Sequence, residues 1–202
     1  MSKAKSGNWW ETTGYRRLAN NSAVYYKKPS VGEFLGEWGN LYESRSGERG
    51  IINMEGLRGS TLAPRRDLGQ IQGLNPCAEI LLRSKQLCNL TEVVVKESDT
   101  VDDLQAKVAI ATILGTVQSS LTNFKYLRKI WRDNCEEERL LGVSLTGQFG
   151  HSLLSGKEGL EKLAGTLDIL RETAIEVNAV FAKRFGINAS TAITTCKPSG
   201  TV

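Results

Sequence analysis

The chain has 202 residues, 40% of them hydrophobic and 24% charged, which is the composition of a folded domain large enough to bury a core. Its formal charge of +4 is scattered, without the block of lysines and arginines that marks a nucleic-acid footprint, which argues against polymer binding. No apolar run approaches the roughly 20 residues of a membrane span, and Met1–Lys5 leads into no hydrophobic signal segment, so the expected location is the cytoplasm.

Val31, Phe34, Leu35, Trp38, Leu41 and Tyr42 have helical spacing and predict an amphipathic helix over 31–43, entered from Pro29-Ser30. Residues 44–76 are rich in Gly, Arg and Ser and predict irregular loops, with a short strand at Gly50-Ile51-Ile52-Asn53. Two short apolar runs follow, Ile80-Leu81-Leu82 and Leu90 to Val95. The second is β-branched and too short for a helix, which predicts a buried strand. Thr100 with Asp103 predicts a helix cap, and the stripe Leu104, Val108, Ala111, Leu114, Val117, Leu121 and Phe124 a long helix beyond it. A second long helix is expected over 157–185, on the stripe Leu160, Leu163, Leu167, Leu170, Ala174, Val177 and Phe181, with Gly186 to end it. Thr191–Thr195 reads as a strand. Strand and helix in alternation predict an α/β layer architecture. The sequence stops at Val202, just after a glycine-containing loop of the kind that leads into a helix and an anion site. We therefore expect a fragment or one piece of a split gene.

The cysteines are Cys77, Cys88, Cys135 and Cys196, with no Cys-x-x-Cys pair and a single histidine, His151, which argues against a metal site or a disulfide scaffold. Scattered cysteines are ordinarily small buried hydrophobes; that reading is kept for Cys135 and Cys196, and His151 reads as a surface or helix-end residue. The Trp9-Trp10 pair and Trp38 read as packing groups. Asn75-Pro76-Cys77-Ala78-Glu79 has a different character. On extended chain Asn75, Cys77 and Glu79 would face one side, and Pro76 would stiffen the loop. A carboxylate disfavours a thiolate beside it, so the trio suits neutral-thiol chemistry, a sulfur that exchanges a hydrogen atom beside a proton acceptor. The alternative on these residues alone is a buried Cys and a surface Glu.

Asn75-Pro76-Cys77-Ala78-Glu79-Ile80, followed by Leu87-Cys88-Asn89-Leu90-Thr91-Glu92-Val93, resembles the class II, adenosylcobalamin-dependent ribonucleotide reductases. Further stretches agree in order. Arg16-Arg17-Leu18-Ala19-Asn20-Asn21-Ser22 looks like the family's specificity loop, and the segment Glu137 to Gly147 is typical of the family. Thr195-Cys196-Lys197-Pro198-Ser199-Gly200-Thr201 looks like the loop that holds the substrate phosphates. The resemblance implies part of a ten-stranded α/β barrel, with residues 1–14 as a tail and residues 15–202 as one incomplete catalytic domain. It implies that Cys77 is the thiyl radical, Glu79 the base for the 3′-hydroxyl, Asn75 a hydrogen-bonding partner of the ribose hydroxyls, and Cys88 one of two reducing thiols.

The same resemblance assigns Lys197, Pro198, Ser199, Gly200 and Thr201 to the substrate phosphates and Arg16, Arg17, Asn20 and Asn21 to the base or an allosteric effector. The implied cofactor is adenosylcobalamin, with its pocket mostly outside this chain. The implied partners are a ribonucleotide (the triphosphate favoured over the diphosphate), other reductase chains that complete the barrel, and thioredoxin or a similar dithiol. The second thiol that pairs with Cys88 has no counterpart here, so the chain alone is expected to be inactive. The competing expectation is a nucleotide-binding or assembly fragment that lacks the chemistry.

Overall fold

The structure, a computed structural model, describes residues 4–5, 7–18, 22–45, 50–59 and 65–198. The chain divides into two compact units, Met1–Leu62 and Ala63–Val202. In the first unit a short helix α1 (Trp9–Thr12) and a 3-10 turn (Gly14–Leu18) precede strand β1 (Ala23–Tyr25). Helix α2 (Val31–Ser44) then leads to β2 (Ile51–Asn53), parallel to β1, and to the short helix α3 (Met54–Arg58). The α2 start is a complete capping box: the Glu33 amide donates to the Ser30 hydroxyl, and the Ser30 amide donates to the Glu33 carboxylate at 2.8 Å. The apolar face expected of this helix is present but uncovered. Trp38 stacks on Phe34 yet remains 54% exposed, so it does not pack into a core as the sequence led us to expect.

The second unit carries the hairpin β3 (Gly73–Leu74) and β4 (Leu81–Leu82), then β5 (Asn89–Val94). The chain crosses over through α4 (Val101–Ser119) and α5 (Lys129–Glu138) to β6 (Leu141–Thr146), which lies parallel to β5 in register Asn89↔Leu141 to Val94↔Thr146. Helix α6 (Leu160–Phe185) brings it back to Thr194, which bridges Val143 on the other side of β6, also in parallel. The Val143 amide donates to the Ile193 carbonyl and the Thr195 amide to the Val143 carbonyl, at 2.8 and 3.0 Å. The core lies between this layer and the helices, with Val93, Leu141, Val143 and Ile193 against Leu104, Val108 and Ala111 of α4 and Leu170 and Ala174 of α6.

The predicted α/β alternation is therefore present, as a parallel layer with helices packed on it. A closed barrel is not seen among the described residues. The Thr100–Asp103 capping box and the left-handed Gly186 at the end of α6 form as expected. Other expectations are corrected. Helix α4 stops at Ser119 instead of reaching Phe124, because Ser119 and Ser120 turn their hydroxyls onto carbonyls of the preceding turn and the amides switch to i−3 partners. Its buried face also swings away from the predicted stripe. Leu114 and Leu121 are 59% and 69% exposed, while Thr112, Gly115, Thr116 and Ser119 are buried.

Small residues on α4 let α6 approach, and the polar groups brought inside are satisfied. Asn178 of α6 donates to the Thr116 and Ser190 hydroxyls at 2.9 and 3.0 Å and accepts the Ser190 amide at 2.8 Å. Helix α6 begins at Leu160, later than predicted, after Gly159 at a φ of 106° that is outside helical geometry. The Thr191–Thr195 strand reduces to the Thr194 bridge. Cys135 lies in the last turns of α5 and is buried, as expected. His151 is buried, not superficial: its Nδ1 faces the Leu154 amide at 3.4 Å, and its Nε2 faces the Asp99 carbonyl at 2.8 Å. No helix among the described residues is long and apolar enough to cross a membrane.

Candidate functional site

The Asn75–Ile80 segment is the loop of the β3–β4 hairpin and is folded, not extended. The Ala78 amide donates to the Asn75 carbonyl at 3.0 Å, closing a turn with Pro76 and Cys77 at its centre, where the fixed φ of proline fits. Asn75 closes the loop twice: its amide donates to the Ile80 carbonyl and its Oδ1 accepts the Ile80 amide at 3.0 Å. Alternation along extended chain is therefore the wrong reason to group Asn75, Cys77 and Glu79. The Asn75 carbonyl oxygen is occupied in the loop, and Nδ2 is the atom left to reach a ligand. Ala78 sits at a φ of 66°, a left-handed backbone that costs a residue with a Cβ about 1 kcal/mol.

The turn presents Cys77 exposed at its tip. Glu79 points the other way energetically, since both carboxylate oxygens are buried and neither has a hydrogen-bond partner. An unpaired buried carboxylate is costly and rare in a chain folded for stability alone. Cys88, just before β5, is half-buried, and its thiol is pushed up by burial and by the charge of Glu79, so it is held as a neutral thiol. Cys135 is close by. It accepts the Leu87 amide on Sγ at 3.4 Å, and burial pushes its thiol up too.

The face of the parallel layer away from the core supports this turn. The Thr195 hydroxyl donates to the Glu79 carbonyl at 3.0 Å. The Ser144 hydroxyl accepts the Lys197 amide at 3.0 Å and fixes the chain just after the Thr194 bridge. Gly142 leaves the space that Leu90, Ile80 and Thr195 fill, and a Cβ there would lie 3.1 Å from Ile80 Cδ1 and 3.2 Å from Thr195 Cγ2. These supports were not among the expected site residues. The alternation of Gly142, Ser144 and Thr146 with Val143 and Leu145 is the signal that could have shown a strand with a non-core face. A buried ionic cluster was also missed: Glu138 receives a two-pronged contact from Arg66 at 2.9 Å on each oxygen, with Arg83 and Gln86 beside it. Burial pushes the Glu138 carboxyl up, but the hydrogen bonds from Arg66 and Gln86 outweigh it and hold the group below the usual carboxylate range.

The remaining expected site residues are placed as follows. Lys197 is half-buried and Pro198 exposed, while Ser199, Gly200 and Thr201 lie outside the described residues, as do Asn20 and Asn21. Arg16 and Arg17 are in the 3-10 turn of the first unit. Arg16 donates to the Ala4 carbonyl and its guanidinium sits 5.9 Å from the Tyr15 ring. Cys196 is exposed, not the buried residue expected, because it follows the Thr194 bridge where the chain leaves the layer.

No family model matches the chain. Curated relatives do. The chain is 27% identical to the adenosylcobalamin-dependent ribonucleoside-triphosphate reductase of Lactobacillus helveticus over 93% of its own length and 28% of that protein. It is 28% identical to the same enzyme of Lacticaseibacillus paracasei over 79% of its length and 24% of that protein. The chain is a homologue of one segment of these reductases. A solved B-12-dependent (class II) ribonucleotide reductase superposes with a TM-score of 0.69 at 22% identity, covering 92% of this chain and 29% of the enzyme. The fold is thus that of part of a reductase, and the chain spans less than a third of the reductases it matches.

Proposed function

We propose that the chain supplies the central catalytic segment of an adenosylcobalamin-dependent ribonucleoside-triphosphate reductase and carries its radical cysteine, Cys77. The observation that carries this reading is the Glu79 carboxylate, buried without a partner beside a neutral Cys88 thiol and one turn from Cys77, in a chain similar along most of its length to such reductases. A base that waits unpaired inside the protein is poised to receive a substrate hydroxyl.

Bound adenosylcobalamin would supply a carbon-centred radical. The exposed Cys77 thiol fits a radical source that approaches from outside this chain, and no residue here is assigned to holding the cofactor. Cys77 gives up its hydrogen atom, and the resulting thiyl takes the 3′ hydrogen of the ribose. Glu79 accepts the 3′-hydroxyl proton. The 2′-hydroxyl leaves as water with a proton from a thiol, and Cys88 and a second thiol end as a disulfide after passing two electrons to the sugar. Cys77 then returns its hydrogen to the 3′ carbon, and a dithiol such as thioredoxin reduces the disulfide. The raised Cys88 thiol suits this sequence, because a neutral thiol carries the hydrogen that the reaction needs. Asn75, through Nδ2, orients the ribose hydroxyls. Lys197, Pro198, Ser199, Gly200 and Thr201 bind the phosphates, and Arg16, Arg17, Asn20 and Asn21 read the base or an effector. The second thiol and most of the cofactor pocket come from other reductase chains.

The test is a reductase assay with adenosylcobalamin, a dithiol and ribonucleoside triphosphates, comparing this chain alone with this chain plus the missing reductase segments. Deoxyribonucleotide forms only in the mixture and is lost in Cys77→Ser. Product from a mixture containing Cys77→Ser would remove Cys77 from the chemistry.

A further inference from the structure

The hairpin that carries Cys77 and Glu79 cannot hold itself. Its ladder is two residue pairs long, Gly73↔Leu82 and Leu74↔Leu81, and a two-stranded hairpin of that size is marginal in water. Its loop contains a left-handed Ala78 and an unpaired buried carboxylate, and both work against the observed conformation. Something outside the hairpin has to impose it.

We propose that Glu138 is a positioning residue, gripping both flanks of the hairpin through Arg66, Arg83 and Gln86 so that the Glu79 carboxylate stays against Cys88. The proposal builds on the assignment of Glu79 and Cys88 to the reacting groups, but the contacts behind it stand by themselves. On the upstream flank, Arg66 presents Nε and Nη2 to the two oxygens of Glu138, each at 2.9 Å, and its Nη1 donates to the Leu81 carbonyl at 2.5 Å. On the downstream flank, Gln86 donates to Glu138 Oε2, while its own Oε1 accepts the Arg83 amide at 2.9 Å and Arg66 Nη2 at 3.1 Å. Arg83 adds Nη2 to Glu138 Oε1 at 3.3 Å and Nη1 to Glu137 at 2.8 Å. The Arg66 and Glu138 side chains are 2% and 1% exposed, so these are desolvated, directional contacts and not a loose surface pair. At its other end Glu138 belongs to the rigid layer. It is the last residue of α5, just before β6, and its carbonyl accepts the Thr191 amide at 2.9 Å. One side chain therefore ties the sheet to the chain before and after the hairpin and, through Arg66, to the Leu81 carbonyl of β4, and a bidentate arginine fixes orientation as well as distance.

The readout is the distance-dependent influence of Glu79 on Cys88. The charged and titratable groups that act on the Cys88 thiol are Glu79 and Cys135; those around Glu138 are Arg66, Arg83 and Glu137. In the full chain, alkylation of Cys88 by iodoacetamide is followed against pH by peptide mass spectrometry. Glu79→Gln removes the neighbouring charge directly and sets the scale, moving the Cys88 midpoint to lower pH. Glu138→Gln is expected to move it the same way, by about half a pH unit or roughly threefold in rate near neutrality, with helix content unchanged by circular dichroism. In a Glu79→Gln background the same substitution is expected to move it less, since the charge it displaces is already gone. A folded Glu138→Gln chain whose Cys88 profile overlays that of the wild type overturns the proposal. If Glu138→Gln does not fold, Gln86→Met is read in the same way, because it removes the Gln86 part of the downstream grip and leaves the Arg66–Glu138 pair intact. Reductase activity enters none of these measurements, so a failed reductase assay and a failed clamp are told apart.

Discussion

Glu79 is the residue where function and stability pull apart. Its carboxylate is buried and unpaired in this chain, so Glu79→Gln is expected to raise stability by about 1 kcal/mol, read as a higher urea midpoint at unchanged slope, while abolishing reductase activity in a reconstituted mixture. A lower midpoint would mean that the carboxylate has a stabilising partner. Gly142 gives the opposite case. Gly142→Ala crowds Ile80 and Thr195 and is expected to cost about 1–3 kcal/mol in the same measurement, because the displaced side chains are themselves packed between the sheet and the turn. At this scale Cys77, Glu79 and Cys88 could be singled out as candidates, because a short motif binds a thiol, a carboxylate and a second thiol into one pattern. Glu138 was not. In Glu136-Glu137-Glu138 it looks like a solvated acidic run, and its partner Arg66 is 72 residues away, beyond any local pattern. Nor was the use of the Asn75 side chain to close its own loop, which depends on a turn that period-2 reasoning does not contain.

Between elements, polar contacts set the registration, and their strength depends on pH. The Glu138 carboxyl titrates below its ordinary value of 4.5 in the folded chain, so its contribution to stability is fully present above that pH and drains away as pH falls through the lowered folded value. Acid unfolding of the wild type is therefore expected to steepen below about pH 4.5, and Glu138→Gln, already lacking the charge, to show a flatter profile over that range. Equal slopes would remove Glu138 from the acid response. Asn178 links α6, α4 and the segment before the Thr194 bridge without any charge. Asn178→Ala strands the buried Ser190 amide, and a loss of about 2–3 kcal/mol by chemical denaturation is expected, independent of pH between 5 and 8. The long helices and β5 were legible because periodicity and caps agree. Helix α5 and β6 were less so, since α5 is short and mostly polar and β6 carries a glycine and two hydroxyls on one face. The exact face of α4 was hidden for a similar reason: close packing against α6 selects small residues, and Thr and Ser there carry no hydrophobic signature.

At the scale of the whole molecule, strand edges and apolar side chains are left open. Among the described residues β5 is paired on one side only, and α4 turns Ile110, Leu114 and Val117 outward at 60, 59 and 43% exposure. The chain by itself is expected to associate with rising concentration, measured by light scattering on a sizing column, and, on the proposed function, to become monodisperse when the other segments of such a reductase are added. Constant monomer mass across a hundredfold dilution would contradict this. The α/β alternation was readable from the sequence, whereas the division into Met1–Leu62 and Ala63–Val202 was not, because the glycine-rich stretch between them looks like one more loop. The parallel pairing of β5 with β6 also sets an order of events during synthesis. Asn89 and Leu140, at the start of the ladder, are 51 residues apart, so at ribosomal speeds β5 waits roughly 3–10 s for β6 to be made. Helix α4, with its own capping box, can form in that interval from local contacts, but the Val93–Val95 run has nothing to pair with. The nascent chain is most open to capture by a chaperone, or by an unpaired strand of another polypeptide, during those seconds.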